Sequence, residues 1–249
     1  MLSLFTILRR SPRKVGLNRG EVVLTFDDGP NATDNVTERL LDVLQQHNVP
    51  AAFCVVGRQV RQFPAIVRRM HRQGHLIVNH TFTHTHPLRL STAALHSEVS
   101  RCDEAIGQAL SIRRYKSEYC RVPYGIVTIP VRRIRRQLDL KPVLLTHYGW
   151  DTRVGPQNCD GVVDGLIDRA VQQHGGMFVL HDGICGPEPD DDVAWDESCR
   201  NRSWVPAAVD RIIRELHAAG LNFVLPGTSP QTVAFPSQTG DSDLLRRAA

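Results

Sequence analysis

The chain has 249 residues, 41% hydrophobic, 22% charged and 6% aromatic, with 30 Lys and Arg against 26 Asp and Glu. That mixture is too apolar and too evenly charged for a disordered chain, and 18 Gly with 15 Pro are too few for a low-complexity one. A formal net charge of +4 gives no electrostatic case for nucleic acid or a membrane surface, and no apolar run reaches the ~20 residues that cross a bilayer.

In chain order, residues 1–20 read as an N-terminal extension. Its opening, MLSLFTILRR, puts apolar residues before basic ones, the reverse of a secretory signal, so a cytoplasmic location is expected. Short runs rich in Val, Ile, Leu and Phe, bounded by Gly, Pro, Asn or a charge, predict strands at 21–26, 51–56, 75–79, 119–122, 142–146, 176–180 and 221–225. Amphipathic stretches between them predict helices. The first, 35–47, carries Val36, Leu40, Leu41 and Leu44 on one face, and the second, 58–72, carries Val60, Ile66, Val67 and Met70. The longest, 92–110, spaces Leu95, Val99, Cys102, Ile106 and Leu110 three and four apart; others follow at 129–138, 162–173 and 206–219.

This alternation predicts parallel strands with helical crossovers. Two architectures fit: a barrel one unit short of eight, or an open doubly wound sheet. No Gly-x-Gly-x-x-Gly follows a strand, which weakens the dinucleotide form of the open sheet. One domain over 21–226 is expected, with no internal repeat, followed by a polar tail at 227–249 rich in Ser, Thr, Pro and Gly. The six cysteines contain no Cys-x-x-Cys pair, which argues against a zinc ribbon and a thioredoxin-type site. Reduced thiols are expected; Cys185 and Cys199, which bracket one loop, are the first pair to test for a disulfide.

Reactive residues gather at the ends of the predicted strands. Asp27 and Asp28 follow the first and His80 and His84 the third. Arg121 and Tyr124 close the fourth, Asp151 lies just past the fifth, and His181-Asp182 end the sixth. In a parallel β/α protein these ends share one face, the face that hosts active sites. His80-Thr81-Phe82-Thr83-His84 spaces two imidazoles four apart, which a helical turn would place on one side. A carboxylate from Asp27 or Asp28 would complete a two-His, one-Asp metal site with positions open for water and substrate. The neighbouring His71, His75 and His86 are not expected to be ligands. Paired carboxylates raise each other's pKa and need a counter-charge, for which Arg121 is the candidate.

Thr25-Phe26-Asp27-Asp28-Gly29-Pro30, His80 to His84, Arg121-Val122-Pro123-Tyr124 and Leu180-His181-Asp182 occur together in this order. In these motifs, from about Glu21 to Leu225, the chain resembles the polysaccharide deacetylases, the fourth family of carbohydrate esterases. The resemblance implies a distorted, incomplete TIM-like (β/α)7 barrel of the α/β class. It implies a divalent metal, zinc first and cobalt or nickel next, on Asp28, His80 and His84. It also implies Asp27 as general base oriented by Arg121, and His181 as general acid. Tyr124 would offer its backbone N–H to the oxyanion, and Leu180 would line the acetyl pocket. The implied partner is an N-acetylated saccharide, cleaved to acetate and a free amino sugar; on protein partners the sequence is silent.

The family's usual Asp-Trp pair after the fifth strand is absent. The stretch Gly149-Trp150-Asp151-Thr152-Arg153-Val154-Gly155 puts Val154-Gly155 where the pair belongs. Either Trp150 and Asp151 serve from a shifted position, or His181 lacks its carboxylate partner and is a poorer acid above neutral pH. Beyond the sixth strand, residues 183–205 carry Glu188-Pro189-Asp190-Asp191-Asp192, Trp195 and Trp204. This is an acidic rim that would favour an amine-bearing saccharide, or else a solvated loop, and each Trp is a sugar-stacking face or a core cover. Other readings are an O-acetyl esterase on xylan-like chains, a cell-wall peptidoglycan deacetylase, a tailoring deacetylase of an amino-sugar metabolite and an inactive carbohydrate-binding relative.

Overall fold

The computed structural model describes residues 16–185 and 197–227. The acidic run 188–192, Trp195 and the polar tail beyond residue 227 lie outside them. The described chain runs β1 (Glu21–Asp27), α1 (Val36–Gln46), β2 (Ala51–Val55), α2 (Gly57–Gln62), α3 (Pro64–Arg72), β3 (Leu76–Asn79) and α4 (Thr92–Leu110). It continues β4 (Tyr119–Cys120), α5 (Ile129–Gln137), β5 (Lys141–Pro142), β6 (His147–Tyr148), α6 (Asp160–Gln173), β7 (Gly176–His181), α7 (Val205–Ala218) and β8 (Asn222–Phe223). Among the described residues every strand pair is parallel, in the order β5-β4-β3-β2-β1-β7-β6, with β8 beside the first residues of β1.

Chain connectivity forces this sheet to curl. Its two edges, β5 and β6, are joined only by residues 143–146. Five Cα steps reach at most about 18 Å, whereas a flat sheet of this order would hold its edges about 29 Å apart. Val143 N–H still donates to Cys120 O of β4, and Thr146 N–H already donates to Met177 O of β7. The chain therefore steps from one edge to the other across its own seam. The result is a distorted, incomplete (β/α)7 barrel; of the expected fifth strand, 142–146, only Pro142 lies in a strand, and 143–146 form the bridge between the two edges.

Central strand β1 is buried along its whole length, as a parallel strand covered on both faces must be. Alternation sends Val22, Leu24 and Phe26 outward against the helices, where they join Leu40, Leu41, Leu44, Val209 and Ile213. Val23 faces inward with Ala52, Cys54, Val78, Val143 and Met177. Thr25 and Asp27 continue that inner row, so the barrel interior turns from apolar to polar towards the strands' C-terminal ends.

The predicted helix at 58–72 is two helices. Pro64 has no N–H to donate and opens α3 at its first turn, while Phe63 leaves the helical region at φ −127°, ψ 55°. The 92–110 helix stands as predicted, with the Ser91 hydroxyl accepting from Ala94 N–H at its start. All six cysteines are buried, unpaired thiols, so Cys185 and Cys199 form no disulfide here.

His75, at the head of β3, is 6% exposed and accepts from Ala51 N–H through Nδ1. Burial, helped by Arg69, pushes its pKa down to about 4 from 6.5. The unfolded chain therefore binds a proton below pH 6.5 that the folded chain refuses. Stability present above pH 6.5 is lost as the pH falls towards 4, by about 3 kcal/mol at the limit. Urea titrations at pH 7 and pH 4.5 should show His75→Gln losing less stability on acidification than the parent. Equal losses would mean His75 is not the titrating group.

Candidate active site

Parallel register brings the first functional groups level. Asp27 of β1 lies beside His181 of β7 on one side and Cys54 of β2 on the other. Arg121, just past β4, reaches across the interior. It donates through Nη1 to Asp27 Oδ1 and to Thr25 Oγ1, both at 2.6 Å. Its Nε and Nη2 donate to the carbonyls of Val143 and Leu144 at 3.2 and 2.9 Å, so the seam segment holds the guanidinium in place. Burial raises the Asp27 pKa, but the cation of Arg121 and the neighbouring imidazoles outweigh it and keep Asp27 below the usual carboxylate range.

Asp28, His80 and His84 converge beside this pair, all three buried, with ligand atoms mutually within 4.8 Å. Their approach is not through a helical turn, as the four-residue spacing suggested. Residues 80–86 form a loop in which Thr81 and His84 take φ of 66° and 64°. Asp28, Tyr124 and Trp150 also adopt positive φ, at 74°, 58° and 59°. Such backbone costs about 1 kcal/mol or more per residue and persists where surrounding contacts over-determine it.

Those contacts are visible around the histidine loop. Glu98 of α4 accepts through Oε2 from Phe82 N–H at 3.1 Å, Thr83 N–H at 2.7 Å and the Thr83 hydroxyl at 2.9 Å. Asn79 accepts from Thr81 N–H and donates to Asp103 and to the Val99 carbonyl. Phe82 is covered on its faces by Arg61 and Arg101. Glu98→Ala is expected to weaken divalent-metal affinity by about 10–100-fold, the effect usual for groups that orient ligands. Competition with a chromophoric chelator measures it, and an unchanged affinity would remove Glu98 from this role.

Charge and tautomer suit the three ligands to a cation. His80 Nδ1 meets the Arg121 carbonyl at 2.7 Å, so a proton sits on Nδ1, and the lone pair available to a cation is that of Nε2. That lone pair faces Asp28 Oδ1 at 3.4 Å, and His84 Nε2 lies 3.1 Å from the same oxygen. Oδ1 makes no directed hydrogen bond although it is buried. Its other oxygen, Oδ2, accepts from Cys185 N–H at 3.0 Å. Two imidazole nitrogens and one carboxylate, aimed at one point and leaving open positions, match the donor set of a catalytic divalent metal rather than a closed structural site.

On the opposite side, His181 has the carboxylate partner that the motif departure put in question. Its Nδ1 lies 2.9 Å from Asp151 Oδ1, and its N–H donates to Asp151 Oδ2 at 2.8 Å. Burial lowers the imidazole pKa, but Asp151, with Asp28 and Asp27 behind it, lifts it to about 9. Trp150, 38% exposed, packs edge-on to Tyr148 with Arg153 over its ring. Gly155 stands where the resemblance leads one to expect a tryptophan, and a Cβ there would meet the Ser198 carbonyl at 2.7 Å.

Tyr124 stacks against His84 and His86 at 5.0 and 4.7 Å between ring centres. Leu180 is not brought into the cleft. It is in register with Phe26 and buried in the outer core, because alternation gives His181's face to Val179 instead. Trp204 is likewise a core residue, 7% exposed. Asp182 lies under Gly29, whose Cβ would come within 2.4 Å of its carboxylate, and burial pushes its carboxyl up to about 7. Thr25, Glu98, Asn79 and Arg202 contribute to the site without having been marked by sequence. Thr25 did carry a signal, as the first residue of Thr25-Phe26-Asp27-Asp28-Gly29-Pro30.

The polysaccharide deacetylase profile matches residues 14–143. Over 214 residues the chain is 35% identical to the chitooligosaccharide deacetylase of Sinorhizobium fredii, covering 86% of this chain and 93% of that one. It is 36% identical over 200 residues to the chitooligosaccharide deacetylase of a Bradyrhizobium species, covering 79% and 87%. Among solved structures, a family 4 carbohydrate esterase from Streptomyces lividans in complex with acetate matches with a TM-score of 0.64 at 28% identity, over 86% of this chain and 95% of that one.

Proposed function

Because the chain belongs to the polysaccharide deacetylase family and is a carbohydrate N-deacetylase, we propose that it hydrolyses the acetamide of an N-acetylglucosamine-containing oligosaccharide or glycoconjugate between Asp27 and His181. The observation that carries this reading is their level register on adjacent strands, beside the Asp28, His80 and His84 cluster. A divalent metal on those three ligands, zinc first and cobalt or nickel next, would supply the positive charge that polarises the acetamide carbonyl and acidifies a water.

The chain's own groups perform the proton movements. Asp27, held anionic by Arg121, accepts a proton from the attacking water through its carboxylate. Tyr124, turned by its positive φ, offers its backbone N–H to the charge that develops on the acetamide oxygen. His181 keeps Nδ1–H on Asp151 and gives the Nε2 proton to the departing nitrogen as the C–N bond breaks. Acetate and a free amine leave. Trp150 and Val179, the latter in the place assigned to Leu180, form the wall against which the acetyl group rests.

Acetate release from N-acetylglucosamine, chitotetraose and chitin polymer, with the protein loaded separately with zinc, cobalt and nickel, tests the reading. Release fastest from the oligosaccharide is the expected result. A protein that binds metal yet frees no acetate from any acetylated sugar would overturn it in favour of a carbohydrate-binding relative. No described helix is long and apolar enough to cross a membrane.

A further inference from the structure

Arg202 lies beyond the acidic loop and 51 residues from Asp151, and nothing in the sequence around it marks it. It is among the largest fully buried side chains, 1% exposed. Three of its nitrogens donate. Nη2 reaches Asp151 Oδ2 at 2.5 Å, Nη1 the Asp151 carbonyl at 2.6 Å, and Nε the His181 carbonyl at 3.0 Å. All three bonds thus end on two residues, while Trp204 lies against the guanidinium at 4.7 Å.

We propose that Arg202 is a positioning residue for the acid of the reaction, clamping Asp151 so that its Oδ1 is presented to His181 Nδ1. The inference rests on the assignment of His181 as general acid. Asp151 has two carboxylate oxygens and a limited set of rotamers. With Oδ2 taken by Arg202 and by His181 N–H, Oδ1 is left to orient the imidazole. The forked guanidinium supplies parallel donors at fixed angles, which a lysine ammonium cannot.

The clamp also carries a charge. His181 faces Asp151 and feels the charges of Asp28 and, on the neighbouring strand, Asp27, with the Tyr148 ring 6.2 Å away. These anions favour the imidazolium; Arg121 opposes Asp27, and Arg202 opposes Asp151, the nearest of them. Arg202 therefore fixes the direction of the acid's hydrogen bond and restrains its basicity, so that the proton is both well aimed and transferable.

Arg202→Lys and Arg202→Met separate the two contributions. The readouts are kcat and KM on chitotetraose from pH 6 to 10, and the His181 imidazole titration followed by 15N NMR. Arg202→Lys should lower kcat about tenfold with KM within about twofold and the His181 midpoint unmoved, because the charge stays and the fork is lost. Arg202→Met should lower kcat further and move the His181 midpoint up by about one pH unit. Should Arg202→Met fail to fold, Arg202→Lys decides by itself. A lysine variant with parental kcat and an unchanged His181 Nδ1–H resonance would overturn the clamp. Equal kcat losses in both folded variants with an unmoved midpoint would likewise reduce Arg202 to a structural ion pair. If the parent releases no acetate, the deacetylase reading fails, while the NMR midpoints still decide the role of Arg202.

Discussion

Asp27→Asn should lower kcat for acetate release by about three orders of magnitude, with KM and bound metal unchanged. The amide is nearly isosteric and its oxygen can still accept from Arg121, so the barrel interior keeps its hydrogen bonds. What is lost is a site for the water's proton, and general bases contribute roughly 10²–10⁴ in rate. Asp28, the neighbouring carboxylate, points its free oxygen at the two histidines and cannot substitute. Steady-state kinetics together with metal analysis of the purified variant tests this. A kcat within tenfold of the parent would remove Asp27 from the base role.

The second large effect concerns the metal itself. Divalent ion binding should raise the thermal midpoint of the parent, and His80→Ala should erase that rise. At a hundredfold excess over Kd, binding to the folded state adds about 2.7 kcal/mol, which for a chain of this size is roughly 5–10 °C. On the proposed ligand set of Asp28, His80 and His84, His80 is the residue to remove, because its Nδ1–H is fixed on the Arg121 carbonyl and its Nε2 is turned to Asp28. Scanning calorimetry of both proteins, with and without zinc, measures the difference. An equal rise in parent and variant would locate the ion elsewhere.

Much of this architecture was legible because it depends on local pattern. Apolar runs marked the long strands β1, β2 and β7, and three- and four-residue spacing marked α4. The reactive groups announced themselves by falling at strand ends, where the fold gathers them whatever their separation in sequence. The errors share a different cause. The fifth strand was misread because β5 and β6 are each two residues long, set by the closing of the sheet rather than by propensity.

The helical turn expected between His80 and His84 failed because Glu98 and Asn79 hold the loop in left-handed backbone that no residue there prefers. The motif resemblance puts Leu180 in the cleft, but strand alternation turns it to the outer core and turns Val179 to the side of His181. Arg202 and Glu98 act across long sequence distances through tertiary contacts, and their own neighbourhoods contain no signal. Pro64 is the exception, a helix boundary that the sequence displayed plainly.

The seam at residues 143–146 couples shape to chemistry. Val143 and Leu144 accept from the same guanidinium that holds Asp27, so the short bridge between the sheet's edges is also the bracket of the proposed base. A chain cut between Leu144 and Leu145, or lengthened there by a few residues, would let the edges part and slacken Arg121 in the same motion. Circular permutants opened at this point should retain their helices yet lose turnover, whereas permutants opened at an exposed helix end elsewhere should keep both. The catalytic cleft is, in this sense, tensioned by the closure of the barrel.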